Sequence, residues 1–214
     1  MPTLSESRSR LLVSEAGIPV SNWETTDSTQ EAVSLARNLG FPVVVKVCGD
    51  EIAHKTERGL VRLNLNTEEA VQEAADELLS SVTVDDGEVT LLVSEQIRGN
   101  RELIVGLVRD EQFGPCVMLG IGGILAEAVA DVAFRLAPLS RSEASDLIND
   151  LSMQSLLDSF RGEPAVDREA LINILCALGD LGSDQEVLSV DLNPLIVANG
   201  VPIAVDALVE TVEG

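Results

Sequence analysis

Residues 88–110 read EVTLLVSEQIRGNRELIVGLVRD, and the class of the whole chain turns on how they are taken. Two runs rich in leucine, valine and isoleucine flank a short polar segment with a glycine. EVTLLVSEQI and RELIVGLVRD both read as strands, and the segment between them is too short for a helix. GPCVMLGIGG, residues 114–123, follows as another strand that runs into a glycine-rich turn. Strand follows strand here with no helix between. That favours α+β lobes over the strict alternation of a doubly wound α/β parallel sheet.

Towards the N-terminus, LSESRSRLLVSEAG reads as an amphipathic helix ending at Gly17. GIPVSNW turns into a second helix, capped near Ser28 and stopped at Gly40. FPVVVKVC is a buried strand and GLVRLNLN another. Asn66 and Glu69 fit a capping box opening a helix to about Leu79. Towards the C-terminus, ILAEAVADVAFRLAPL fits either a helix or two short strands. Ser140 with Glu143 caps a further helix, and DREALINILCALGDLG is a long amphipathic one. EVLSVDLNPLIV and VPIAVDALV are two strands around ANG. No internal repeat or low-complexity linker interrupts the pattern.

The chain has 214 residues, enough for one domain or one split into two lobes, and 45% of them are apolar, enough for a real core. No apolar run reaches membrane-spanning length, and MPTLSESRSR is not followed by the apolar stretch of a signal peptide. Cys48, Cys116 and Cys176 are odd in number and far apart. They read as buried free thiols in a reducing cytoplasm. The formal charge of −22 argues against nucleic acid or an anionic membrane as partner. Only two residues are lysine. Such a surface suits solubility in high salt, although a GC-rich genome also depletes lysine.

Several stretches could carry chemistry. His54, the single histidine, stands in DEIAHKTERG with Lys55 and Arg58, and Lys46 lies eight positions earlier. His54 lacks the apolar flanks of a core residue and the His or Cys neighbours of a zinc site. It is either a surface histidine or a functional one, a general base or a nucleophile that carries a group. Lys46 is a strand-end lysine reaching water, or a point charge on a phosphate. Glu95 and Glu102 end and begin adjacent strands, as solvated carboxylates often do. The exposed segment between could instead present backbone groups to an adenine edge, with a carboxylate for ribose hydroxyls. GIGG, residues 120–123, is a tight turn, or a place where backbone amides close on an anion. Asp191, Asn193 and Asp206 lie near adjacent strand ends, where a hairpin would bring Asn193 close to Asp206. They are ordinary hairpin polar residues or oxygen ligands for Mg²⁺.

In this order, the strand lysine in VVVKV, HKTERG, SEQIRGNRELIVG, FGPCVMLGIGG, FRLAPL and DLNPLIV together resemble one family. It is the ATP-grasp subunit, or beta chain, of the ADP-forming acyl-CoA synthetases, such as acetate–CoA ligase (ADP-forming), relatives of succinyl-CoA synthetase. The resemblance runs over about residues 5–210. It implies an ATP-grasp fold, two α+β lobes with the nucleotide bound between them. The small lobe would take about residues 18–95 and the large lobe about 1–17 plus 96–214.

The resemblance implies that Lys46 contacts nucleotide phosphate, that Glu95, Gln96 and Ile97 form the adenine hinge, and that Glu102 holds ribose. Gly122 and Gly123 fit the family's glycine turn beside the nucleotide. Asn193 and Asp206, with Asp191 nearby, match Mg²⁺ ligands. His54 matches a histidine that relays phosphate from the alpha chain to ADP, with Lys55 and Arg58 neutralising charge along the path. ATP or ADP and Mg²⁺ are the implied cofactors, and a CoA-binding alpha subunit, in an alpha2beta2 assembly, the implied partner. Without it the chain would not complete acyl-CoA chemistry. The family usually has two glycines after the histidine segment, whereas Gly59 here is followed by Leu60. Two other functions compete: a non-catalytic ATP-grasp regulatory module, and an ATP-grasp ligase that makes an acyl phosphate without a phosphohistidine.

Overall fold

The computed structural model describes residues 3–52, 58–123, 130–159 and 162–212. Its internal contacts divide the chain into two units, the smaller made of Thr3–Arg8 and Ser21–Gln96 and the larger of the remainder. The first helix, α1 (Glu6–Glu15), starts within the smaller unit and continues within the larger from Ser9. By these contacts Thr3–Arg8 group with the smaller unit, whereas the expected boundary has all of residues 1–17 in the large lobe.

The smaller unit is an antiparallel sheet in the order β1–β4–β2–β3. Its strands are β1 (Trp23–Thr26), β2 (Val43–Cys48), β3 (Val61–Leu65) and β4 (Thr90–Glu95). Two helices belong to it, α2 (Thr29–Leu39) and α3 (Glu68–Ser81). The Ser28 hydroxyl accepts the Glu31 N–H and so opens α2, and Gly40, at φ 89°, closes it. α3 starts one residue later than expected. Thr67, not Asn66, is its cap and accepts the Ala70 N–H at 3.2 Å, while the Asn66 amide turns back onto the Asn64 carbonyl. β1 is not among the expected strands, because WETT is short and polar. Its pairing with β4, from Trp23 opposite Ser94 to Thr26 opposite Leu91, makes it a strand.

All six residues of β2 are buried, so both faces of this strand are covered. Val43, Val45 and Val47 enter the core with Leu35, Val71 and Leu78. At the alternate positions, Lys46 and Cys48 meet the first turn of α1: the Ser7 N–H lies 3.4 Å from Cys48 Sγ and Lys46 pairs with Glu6.

The larger unit holds β5 (Glu102–Asp110), β6 (Gly114–Ile121), β7 (Val132–Leu136), β8 (Val187–Ala198), β9 (Val201–Ala204) and β10 (Leu208–Thr211). The order is β10–β8–β5–β6–β7, with β9 also on β8, and every pair is antiparallel. α4 (Arg141–Asn149) packs on β7 and α5 (Arg168–Leu181) on β5 and β6. The expected Ser140–Glu143 capping box is present. Of the ambiguous stretch 124–139, residues 132–136 form β7, and 124–129 lie outside the described residues.

VPIAVDALV is two strands rather than one. β9 and β10 pair with β8 in a single register, Leu195 opposite Ala204 and Asp191 opposite Leu208. They are one edge strand broken at Val205–Ala207. The break faces Pro194, which has no N–H to give a ladder. The register of β8 against β5 also slips there, between Leu103 and Val105.

The three cysteines are free, but only Cys48 is buried; Cys116 and Cys176 keep some exposed surface. Burial raises the pKa of both of these thiols. Among the described residues, no helix is long and apolar enough to cross a membrane.

Candidate functional site

His54 and Lys55 lie outside the described residues. The flanks of their segment are well anchored. Ile52 and Leu60 are both in the core of the smaller unit, Leu60 only 1% exposed. The Leu60 carbonyl accepts the Val47 N–H at 3.0 Å. Leu60, the residue that follows Gly59, is therefore a core residue.

Arg58 is the residue expected to neutralise charge along a phosphate path. Its guanidinium is engaged by Asp86 at 2.7 Å. Asp86 also accepts the Thr83 N–H at 2.8 Å. The Arg58 hydrogen bond, then that from the Thr83 backbone, holds the Asp86 carboxyl well below the usual carboxylate range.

Lys46 is neither at the end of its strand nor in water. Its Nζ lies 2.7 Å from Glu6 Oε1, and the side chains are 9% and 0% exposed respectively. At the end of β4, the Glu95 N–H donates to the Asn22 carbonyl and the Gln96 N–H to the Pro42 carbonyl, at 3.0 and 3.1 Å. The Gln96 side chain is held twice by Asn64, accepting its backbone N–H at 2.7 Å and donating to its Oδ1 at 2.9 Å. The amides of Glu95 and Gln96 are thus engaged within the protein. Ile97 is half-buried and begins the larger unit's main segment.

In the larger unit, Glu102, Gly122 and Gly123 come together. The Gly122 N–H donates to the Glu102 carbonyl at 2.8 Å. A Cβ on Gly122 would sit 3.1–3.2 Å from the Glu102 backbone and Cβ, and Gly123, at φ 84°, faces the Glu102 carboxylate. The glycines are required both for close approach and for backbone conformation. Arg101, buried, fixes the start of β5: it donates to the Asp158 carbonyl at 3.0 Å and pairs with Glu163 at 3.2 Å.

Asp191, Asn193 and Asp206 also come together. The shared register of β9 and β10 puts Asn193 opposite Asp206, with the Val205 N–H donating to the Pro194 carbonyl at 3.3 Å. Asp191 and Asn193 are exposed on either side of the buried Leu192 and so share a face. Although Asp191 retains exposed surface, desolvation and then the charge of Asp206 raise its carboxyl pKa. Two carboxylates that repel, with an amide oxygen beside them, fit a hard divalent cation. Mg²⁺ needs only one or two carboxylates when phosphate and water complete its shell. Among the described residues, no group of three or more His, Cys, Asp or Glu side chains is disposed to hold a metal. The fit therefore rests on this mixed set.

Sequence reasoning misses Glu6, Asn64 and Arg101 as supports of these residues. Two of them have partners far off in sequence, 40 positions for Glu6–Lys46 and 62 for Arg101–Glu163. Local pattern carries no signal of such pairs.

Two α+β units, one with a lysine-bearing central strand and one with a glycine turn and an oxygen cluster, define the class as ATP-grasp. The ATP-grasp domain family matches residues 2–211, and the chain belongs to it. More particularly, it is similar to the beta subunits of ADP-forming acetate–CoA ligases. Acetate–CoA ligase [ADP-forming] I subunit beta of Pyrococcus furiosus is 34% identical over 95% of this chain and 90% of its own length. Acetate–CoA ligase [ADP-forming] I of Archaeoglobus fulgidus is 37% identical over 85% of this chain, which spans only 27% of that longer protein. The dinucleotide-forming acetyl-coenzyme A synthetase 1 of Ca. Korarchaeum cryptofilum matches with a TM-score of 0.85 and 39% identity, over 98% of this chain and 93% of that one. That structure holds coenzyme A and Mg-AMPPCP, with its phosphohistidine segment pointing towards the nucleotide binding site.

Proposed function

We propose that this chain is the nucleotide-binding subunit of an ADP-forming acyl-CoA synthetase, working in the cytoplasm with a CoA-binding alpha subunit in an alpha2beta2 assembly. The observation that carries the reading is the joint placement of Glu102 against Gly122–Gly123 and of Asp191, Asn193 and Asp206 on one sheet. The relative with a phosphohistidine segment supports it. The overall reaction is acyl-CoA, ADP and phosphate to acid, CoA and ATP, and it is reversible.

In the ATP-forming direction, neutral His54 first takes a phosphoryl group delivered by the partner. An ADP β-phosphate oxygen then attacks phosphorus, the P–N bond breaks, a P–O bond forms, and imidazole is released. Lys46 is assigned to nucleotide phosphate, with Glu6 holding its ammonium in place until phosphate competes for it. Ile97 and its neighbours Glu95 and Gln96 are assigned to adenine, Glu102 to ribose, and Gly122 and Gly123 to a backbone amide contact. Asp191, Asn193 and Asp206 would hold Mg²⁺. When bound, the ion neutralises charge on the nucleotide phosphates. Lys55 is assigned to charge neutralisation beside His54; Arg58, through Asp86, fixes the base of that segment.

The test is ATP formation from acyl-CoA, ADP and phosphate by this chain co-purified with its alpha partner. His54→Ala should abolish ATP formation and leave nucleotide binding nearly intact. Labelled phosphate on the chain should be acid-labile and base-stable, as a phosphoramidate is. A His54→Ala complex that makes ATP at the parent rate overturns the relay and favours an acyl-phosphate ligase. Nucleotide binding without turnover in the parent complex favours a regulatory module.

A further inference from the structure

The two halves of the broken edge strand are held on either side of Asp206 by consecutive residues of α1. Ser9 and Arg10 are each 0% exposed. The Arg10 guanidinium donates to the carbonyl of Val205, the residue before Asp206. The Ser9 hydroxyl accepts the N–H of Val209, three residues after it, at 3.1 Å. Asp206 itself accepts the Ala207 N–H at 3.0 Å, which fixes its carboxylate within the break.

A fully buried arginine and serine on a helix are costly to desolvate unless their bonds are made. Here those bonds flank the part of the β9–β10 edge that leaves the β8 ladder. The edge strand would otherwise be free to shift against β8 or to fray. Either change would move Asp206 relative to Asp191 and Asn193.

We infer that Ser9 and Arg10 are positioning residues for the metal ligand Asp206, acting through the Val205 carbonyl and the Val209 N–H. The inference rests on the reading of Asp191, Asn193 and Asp206 as Mg²⁺ ligands. It assigns a role in metal binding to a helix that carries no ligand itself.

The experiment is calorimetric titration of the folded full chain with ADP, with and without Mg²⁺. Ser9→Ala, Arg10→Lys and Asp206→Asn are compared with the parent, and each variant's melting temperature is recorded. Ser9→Ala removes the hydroxyl that accepts the Val209 N–H with little change of volume, so it should stay folded. It is expected to weaken Mg-ADP binding by about 3- to 10-fold, the range for one lost hydrogen bond, and to leave metal-free ADP binding unchanged. Arg10→Lys, which keeps a donor, should fall between Ser9→Ala and the parent. Asp206→Asn should remove most of the advantage that Mg²⁺ gives. If Asp206→Asn keeps that advantage, the metal reading fails and the inference falls with it. If Asp206→Asn loses it but Ser9→Ala binds Mg-ADP as the parent does, the positioning role is overturned whatever Arg10→Lys does. Equal weakening of ADP with and without metal overturns it too, because a merely structural role has that signature.

Discussion

At Lys46 a residue read as a strand-end cation proves to be one half of a buried pair with Glu6. Removing one partner of such a pair leaves the other's buried charge less well compensated, at a cost of up to about 3–5 kcal/mol, whereas replacing both with apolar groups can be neutral. Lys46→Met should therefore lower stability sharply in denaturant titrations. The double variant Lys46→Met, Glu6→Leu should recover most of the loss without recovering nucleotide affinity. Leu60 makes a second case. Read in sequence it is a missing glycine; in the fold it fills the smaller core at 1% exposure. Leu60→Gly should cost on the order of 3–5 kcal/mol, by cavity formation and added backbone freedom. A urea midpoint near the parent's would refute that. Both residues are legible as unusual in the sequence. Their partners are not, because Glu6 and Lys46 are 40 positions apart.

Among the elements, the β8 strand with its broken edge carries a dependence on pH. The Asp191 pKa is raised in the folded state, by desolvation first and the Asp206 charge second. A carboxyl whose folded value exceeds its unfolded one costs stability when ionised. That cost is fully present above the raised folded value and disappears as pH falls through it towards the unfolded one. Without metal, Asp191→Asn should thus raise the melting temperature at pH 7 and make little difference near pH 3, roughly where an unfolded aspartate also holds its proton. Added Mg²⁺ should stabilise the parent more than this variant. Asp86 has the opposite sign. Its pKa is lowered by Arg58, so its contribution is present at neutral pH and is lost only in strong acid. Elements with local signals are readable: the caps at Ser28 and Ser140 announce their helices because cap chemistry involves residues three apart. The break in VPIAVDALV is not, since apolar alternation runs straight through it. It depends on Pro194 across the ladder.

Over the whole molecule, repulsion among carboxylates governs the response to salt, because the chain carries a charge of −22 and only two lysines. At 0.01 M salt the Debye length is roughly 30 Å, and like charges repel across a whole domain. We expect the melting temperature to rise between low and molar KCl. A flat or falling curve would leave genome composition as the reason for so little lysine.

The position of α1 in the chain has a consequence for synthesis. Ser9 and Arg10 leave the ribosome long before their partners Val209 and Val205, which lie 200 and 195 positions later. The larger unit cannot complete its fold until Val205 and Val209 have been made, because these bonds to α1 close only then. A nascent chain stalled before residue 205 should therefore remain sensitive to protease in the larger unit. Chaperone demand in the cell should concentrate on the interval between the emergence of α1 and that of Val209.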